Sequence, residues 1–390
     1  MGEIIKVQSK AKGTSGIVSN SGIYEEDYLI ELRGIDGAIK YDKMRRSDPQ
    51  IRKLRSAIIN PIKGAKFEVE AAEGDTDGKQ ADVIRRVIFD DFPGGWKQKL
   101  GEILTFIDFG HSVFEVIHEN KEAPEIGPYT GFKNLAFRSS KTITEWKRDR
   151  NTGEIIAIKQ ETSGDVERQI EIPKEFLVMF FNEREGDDNG FSLLRPLYGA
   201  YKRKLLNLQL LAIGNERHAI GTVIASAPAD SFEDDKELET VRQILEDFTA
   251  HESSYILKPD TITIEFHSNE FKSSNLDASI KAEDERMAGA FLATFLELGI
   301  GGNSGAFALG TDLSDFFLSG IEYIASNVVE VFNRDIIPHV TELNFGPDAI
   351  PPKLKVSGIS DKAGKEMAEV LNTLAGGSLL TPDGKLRAHI

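Results

Sequence analysis

Residues 190–225 read GFSLLRPLYGAYKRKLLNLQLLAIGNERHAIGTVIA, and the polar turn EGDDNG (185–190) runs straight into them. Ser192 is placed to cap a helix, and Pro196 suits a first helical turn, where backbone N–H groups lack partners anyway. Downstream, Leu194, Leu197, Tyr198, Tyr201, Leu205, Leu208 and Ala212 recur at helical spacing, with the basic block Lys202, Arg203 and Lys204 among them. A helix of about 25 residues spans roughly 37 Å, long enough to be a strut across a domain. Taken alone, the stretch reads first as an amphipathic helix packed on a core with a solvated basic patch. The order of elements around it decides between the two.

Composition sets the outer limits. The chain has 390 residues, 40% hydrophobic and 28% charged, with no cysteine and a formal charge of −16. That length buries a large core and ordinarily makes two or more domains. No apolar run approaches the ~20 residues that cross a bilayer, and the start MGEIIKVQSKAKG lacks a signal-peptide core, so no membrane role is expected. The absence of cysteine excludes disulfides, thiolate metal sites and thiol nucleophiles. A net charge of −16 opposes static gripping of nucleic acid, yet suits a passage through which DNA must slide without being held.

Outward from the strut, the pattern is α+β. Asp48-Pro49 opens a helix striped by Ile51, Leu54, Ile58 and Ile59, and Asn60-Pro61 is expected to end it. Lys66–Glu70 alternates as an exposed strand. Helices are expected over Ala81–Phe92 and Trp96–Phe109, and strands over Ser112–His118, Leu135–Trp146, Ile155–Thr162, Glu167–Ile172 and Phe176–Asn182. After the strut come an acidic helix (230–252) and two short strands (254–257 and 261–266). A second long helix spans about Ala278–Leu298, with Glu283, Asp284 and Glu285 toward its positive end. A glycine-rich break, GIGGNSGAFALG (299–310), separates it from a helix capped by Asp312 and running to about Asn333, with Pro338 beyond. Lys353–Val356 reads as a strand, and Lys362–Leu374 as a last short helix.

Catalytic signatures are missing from the sequence: there is no phosphate loop, no HExxH and no GxSxG elbow. The seven histidines are scattered in sequence, with no metal-ligand spacing. Asp187-Asp188-Asn189-Gly190 lacks the alternating ligands and terminal Glu of a calcium loop and reads as a turn. Residues 301–310 lack the preceding buried strand and following lysine of a phosphate cradle. No cofactor is expected, and no nucleophile, base and oxyanion donor can be assigned.

Taken in order, five segments resemble the portal proteins of tailed bacteriophages, in particular the group related to the portal of phage Mu. They are DPQIRKLR (48–55), IDFGHSVFEVI (107–117), LAFRS (135–139), IPKEFLV (172–178) and NGFSLLRPLY (189–198), the last continuing through Lys204 and Glu216 to Gly221. The resemblance covers most of residues 40–345. It implies a portal fold with a wing (1–188), a first stem helix (189–222), a small α/β clip (223–276) and a second stem helix (277–299). A tunnel loop (300–312), a wing helix and return (313–356) and the start of a helical crown (357–390) complete it. Gly301, Gly302, Asn303, Ser304, Gly305 and Gly310 then form the DNA-channel loop, which carries no charge before Asp312. Lys202, Arg203 and Lys204 become a channel or intersubunit basic ring.

The resemblance further implies a non-enzymatic homo-oligomeric ring, commonly of twelve copies, at one vertex of the virion capsid, assembled in the host cytoplasm. Double-stranded DNA passes through it during packaging and ejection. Its partners are the terminase large subunit, the head–tail adaptor and the major capsid or scaffolding protein. The family's chains usually continue past the position of Ile390, so the expected crown is either truncated or short. Two alternatives stand beside this: another oligomeric head–tail connector component, or an α+β metal-dependent hydrolase using Asp187, Asp188 and Glu283.

Overall fold

The computed structural model describes residues 29–75, 77–149, 151–161, 169–183, 188–220, 222–226, 239, 242–243, 263–267, 273–300 and 313–359. They fall into two compact units, one formed by the chain up to Tyr198 and again from Glu285, the other by Gly199–Asp284.

In the larger unit, α1 (Gly34–Ser47) and α2 (Pro49–Gly64) meet at Asp48, whose side chain accepts from the backbone N–H groups of Gln50 and Ile51. Sequence periodicity does not announce α1. Its buried face is Gly37, Ala38, Tyr41, Asp42 and Met44, a mixture too small and polar to stand out. Pro61 lies inside α2 and does not end it, contrary to expectation. Ile58, Ile59, Pro61 and Ile62 are all buried, so burial of the last turn outweighs the hydrogen bond that proline forfeits.

The strand β1 (Lys66–Glu70) pairs antiparallel with β10 (Lys353–Ser357), joining the two ends of the unit. Between them lie α3 (Lys79–Phe89), α4 (Trp96–Ile103) and the short α5 (Phe106–Phe109). The helix expected over 96–109 is thus broken at Leu104-Thr105. There the Thr105 hydroxyl donates to the Glu102 carbonyl (2.7 Å), diverting the backbone from its helical ladder.

Two three-stranded sheets follow. One orders β3 (Gly127–Arg138), β2 (His111–Ala123) and β7 (Leu177–Phe181); the other orders β4 (Ile143–Arg148), β5 (Ile155–Glu161) and β6 (Gln169–Pro173). The single strand expected over Leu135–Trp146 is therefore two strands in different sheets. The change of sheet comes at Ser139–Thr142, where the Thr142 N–H and hydroxyl both bond the Ser139 carbonyl. Val113, Ile143, Ile158, Ile172 and Leu177 fill the space under the second sheet.

Before β10 in the chain come α8 (Leu313–Val331), a π-helical turn (Phe332–Ile336) and α9 (Ile337–Phe345). Sequence places the helix end near Asn333, yet the helix continues. Pro338 has no N–H, and its ring would collide with the carbonyl four residues earlier, so the helix widens into a π turn instead of stopping. The widening lets Asn333 bridge β10, donating to the Leu354 carbonyl (3.0 Å) and accepting from the Leu354 N–H (2.8 Å). Trp96 knits these layers, with Phe67 and Phe332 edge-on at centroid distances of 5.1 and 5.5 Å.

Asp108 is fully buried and joins α5 to both first helices. It accepts from Arg55 Nε (2.8 and 2.9 Å) and from Arg45 Nη1 (3.0 Å). Nearby, burial works against ionisation of Asp42, but hydrogen bonds from Lys141, Arg46 and Arg45 hold its carboxyl far below the ordinary range. The side chain of His118 on β2 stands 5.2 Å from that of His339 on α9 and 5.5 Å from that of Phe132, with its Nδ1 buried and without a hydrogen-bond partner. Burial, then the charge of His339, hold His118 below its ordinary 6.5, against a backbone contact with Gly131.

Two measurements follow. Asp108→Ala leaves two arginines facing an emptied pocket and is expected to cost about 3–5 kcal/mol in urea denaturation. A cost under about 1 kcal/mol would mean that the arginines re-pair. His118 is neutral when folded, so its contribution is complete above pH 6.5 and is lost as pH falls from there through its lowered folded value. Thermal melts across pH 7.5 to 5 should therefore fall less steeply for His118→Phe than for the native chain; parallel slopes would refute the assignment.

Candidate functional site

The turn that leads into the strut is fixed by two glycines crossing back to back. Gly110 (φ +84°) and Gly190 (φ +66°) both need the left-handed region. A Cβ on Gly110 would sit 2.4 Å from the Asn189 carbonyl oxygen, and one on Gly190 2.3 Å from that of Gly110. The Asn182 N–H bonds the Gly110 carbonyl (2.9 Å), and the Phe191 N–H bonds the Asn182 carbonyl (2.8 Å). Ser192 accepts from the Leu194 N–H (3.1 Å) and donates to the Asp108 carbonyl (2.5 Å), while the Leu193 N–H bonds the Ile107 carbonyl.

Ser192 thus caps a turn and not the helix itself. Residues 193–197 make successive i to i+3 turns, and α6 runs only from Tyr198 to Ile220, later than the expected start. Pro196 and the tertiary bonds of Ser192 and Leu193 hold the segment in those turns.

In the smaller unit, α6 leads within two residues to β8 (Thr222–Ser226). That strand pairs antiparallel with β9 (Thr263–His267), Thr222 opposite His267. Six residues later begins α7 (Ser273–Ile300). The end of α6 and the start of α7 are therefore neighbours, and the helices run antiparallel. Consecutive residues tie them: Arg203 forks onto Glu283 through Nε (3.0 Å) and Nη2 (2.9 Å), and Lys204 Nζ reaches Asp284 (2.6 Å). Glu283 and Lys204 are buried, while the Arg203 side chain is half exposed. The bond to Glu283 raises the Arg203 pKa above its already high ordinary value.

Of the basic block, then, Arg203 and Lys204 pair within their own chain, and Lys202 is exposed. Glu283 and Asp284, which the sequence suggests only as favourable charges near a helix start, are their partners. The signal that would find them is a KRK triplet on one apolar helix matched by EDE on another. Tyr198 and Tyr201 are buried as expected, but Leu208 is 41% exposed, and Leu206, Leu210 and Ile213 are 54%, 45% and 46% exposed. Gly301, Gly302, Asn303, Ser304, Gly305 and Gly310 lie outside the described residues, as do Asp187, most of the acidic segment 230–252 and residues beyond 359.

Asp188, a carboxylate of the hydrolase alternative, is paired with Arg148. Among the described residues no group of three or more His, Asp or Glu could hold a metal ion, and no helix is long and apolar enough to cross a membrane.

A mixed helix-and-sheet body with a charge-tied antiparallel helix pair defines a structural class rather than a reaction centre. Residues 39–383 match the family model described as the portal protein of Mu bacteriophage, and the chain belongs to that family. It is therefore a portal protein, the DNA conduit of a phage capsid vertex.

Among solved structures, the chain is similar to the neck of an empty GTA particle computed with C6 symmetry (11% identity, 90% of this chain and 92% of that one, TM-score 0.51). It is also similar to the neck of a native GTA particle computed with C12 symmetry (10%, 89% and 91%, TM-score 0.50). A HK97 family phage portal protein from Corynebacterium diphtheriae aligns at 11% identity over 79% of this chain and 92% of that one, with TM-score 0.42. No curated protein matches the chain.

A double-mutant cycle on Arg203→Ala and Glu283→Ala, read by chemical denaturation, should give a coupling in the lower half of about 0.5–3 kcal/mol, because the arginine is half exposed. Arg203→Lys should recover only part of it, since lysine cannot fork. Additive single effects would show that the clamp is energetically idle.

Proposed function

We propose that copies of this chain form a closed ring at the capsid vertex and that the ring passes double-stranded DNA without catalysing a reaction on it. The observation that carries this is the family match over residues 39–383, which spans both units and the α6–α7 pair. The described necks with C6 and C12 symmetry support a ring of the same kind for this chain, twelve-fold in the commonest arrangement.

In this proposal α6 and α7 are the two stem helices, the segment between them is the clip, and the larger unit is the wing. The clamp of Arg203 and Lys204 on Glu283 and Asp284 stiffens the stem. Lys202, Arg203 and Lys204 recur around the ring as a basic belt whose attraction for phosphate is moderated by those carboxylates. A charge of −16 per copy keeps the rest of the passage from holding DNA. Gly301, Gly302, Asn303, Ser304, Gly305 and Gly310 belong to an uncharged tunnel loop that bends around moving DNA. The terminase large subunit and the head–tail adaptor dock on the ring, which is set in the major capsid protein or its scaffold.

The test is a ring image and a deletion. Negative-stain micrographs of the purified chain should show rings with a central hole, and a chain lacking 301–310 should still form them. Particles carrying the deletion should package or retain less DNA. A deletion that abolishes rings would make the loop a structural element, and a native chain that stays monomeric at high concentration would overturn the proposal.

A further inference from the structure

The larger unit brings together two histidines for which passage of DNA has no use. His118 lies on β2 and His339 on α9. Their rings stand 5.2 Å apart, centroid to centroid, inclined at 57°. An imidazole nitrogen binds zinc at about 2.0–2.1 Å, which puts the ring centre roughly 3.2 Å from the ion, so two rings on one tetrahedral ion are about 5.2 Å apart. The pair already has the separation of two imidazoles that share an ion.

The backbone holds that separation from both sides. The β2–β3 register slips between Ile117 and His118: Ile117 faces Asn134 and His118 faces Phe132, which leaves Lys133 as the extra residue of a bulge. A bulge re-aims the side chains beside it. Five residues past His339, Asn344 accepts from the Thr130 N–H (2.7 Å) and donates to the Thr130 carbonyl (2.9 Å). Thr130 faces Asn120, two residues from His118, so α9 is fastened to the sheet next to the pair. Both rings thus stand on regular elements and not on loops.

His118 also has a nitrogen to offer. Its Nδ1 is buried and without a hydrogen-bond partner. The ring's contact with the Gly131 backbone favours the protonated ring, so the ring donates there, and with Nδ1 unpartnered the donor is Nε2–H. An imidazole whose one N–H is held by a backbone carbonyl and whose other nitrogen keeps its lone pair is arranged as a metal-ligating histidine is. A buried acceptor without a partner is a cost to the fold that a bound cation removes. His339 is exposed, which gives the pair a side open to solvent. Among the described residues no group of three or more His, Asp or Glu could hold an ion, so water fills the remaining positions.

We propose that His118 and His339 together chelate one late first-row divalent ion of the zinc, nickel or copper class, tying α9 to β2. Imidazole nitrogens suit these ions, whereas calcium and magnesium take oxygen ligands.

The test uses the untagged full-length chain. Zinc followed by calorimetry at pH 7.5 should fill one site per chain, and His118→Gln and His339→Ala should each weaken it at least about tenfold, since even groups behind a ligand are worth that much. Zinc at 100 times its dissociation constant should shift the unfolding equilibrium about 100-fold towards the folded chain. Magnesium at the same concentration should leave that equilibrium unchanged. Affinity that survives in either variant would overturn the chelate and place the ion on other histidines, and an equal shift with magnesium would overturn the ion class. Should His118→Gln fail to fold, copper(II) decides through its electron paramagnetic resonance spectrum. The native chain should show two nitrogen ligands and His339→Ala, altered only at an exposed side chain, should show one; a single nitrogen in the native spectrum would refute the pair.

Discussion

The buried carboxylate of Asp108 is the constraint on which the larger unit depends. An isolated charge in so dry a position would be prohibitively costly, and it is tolerated because Arg55 and Arg45 reach it from α2 and α1. Its own backbone carbonyl accepts the Ser192 hydroxyl, and two residues later Gly110 crosses Gly190. One short helix thus ties the first two helices to the turn that launches α6. The specificity is geometric as much as energetic: the carboxylate, the carbonyl and the glycine crossing are all satisfied by one placement of α5.

In the smaller unit the ionic logic is repeated with different consequences. Glu283 is buried and Arg203 forks onto it from a half-exposed position, while Lys204 is buried against Asp284. Two consecutive charged pairs at one level set the register of α6 against α7, because a shift by one residue would separate both. The clamp also means that two of the positive charges on α6 are answered inside the chain.

The features visible in the two units are long helices, a charge-fixed register between α6 and α7, and a glycine crossing with tertiary hydrogen bonds at the turn before α6. Family membership over residues 39–383 gives those features their setting. The low identity to the GTA necks, 11% and 10%, indicates that such a fold is kept by patterning and by a few geometric fixtures rather than by residue identity.

The sequence by itself determined the α+β order of elements, the strut and its partner helix, and the poverty of catalytic motifs. Those are carried by local periodicity and by the spacing of prolines and glycines, which need no knowledge of the fold. It also contained the family, through ordered segments such as DPQIRKLR and NGFSLLRPLY. Only tertiary structure decided that Pro61 is carried through by burial, that Pro338 widens a helix instead of ending it, and that 135–146 divides between two sheets. His118 and His339 lie 221 residues apart and meet only in the folded chain. Likewise Arg203 and Glu283 find each other across 80 residues. Charge pairing and burial are set by distances in space, and those become fixed only when distant segments pack.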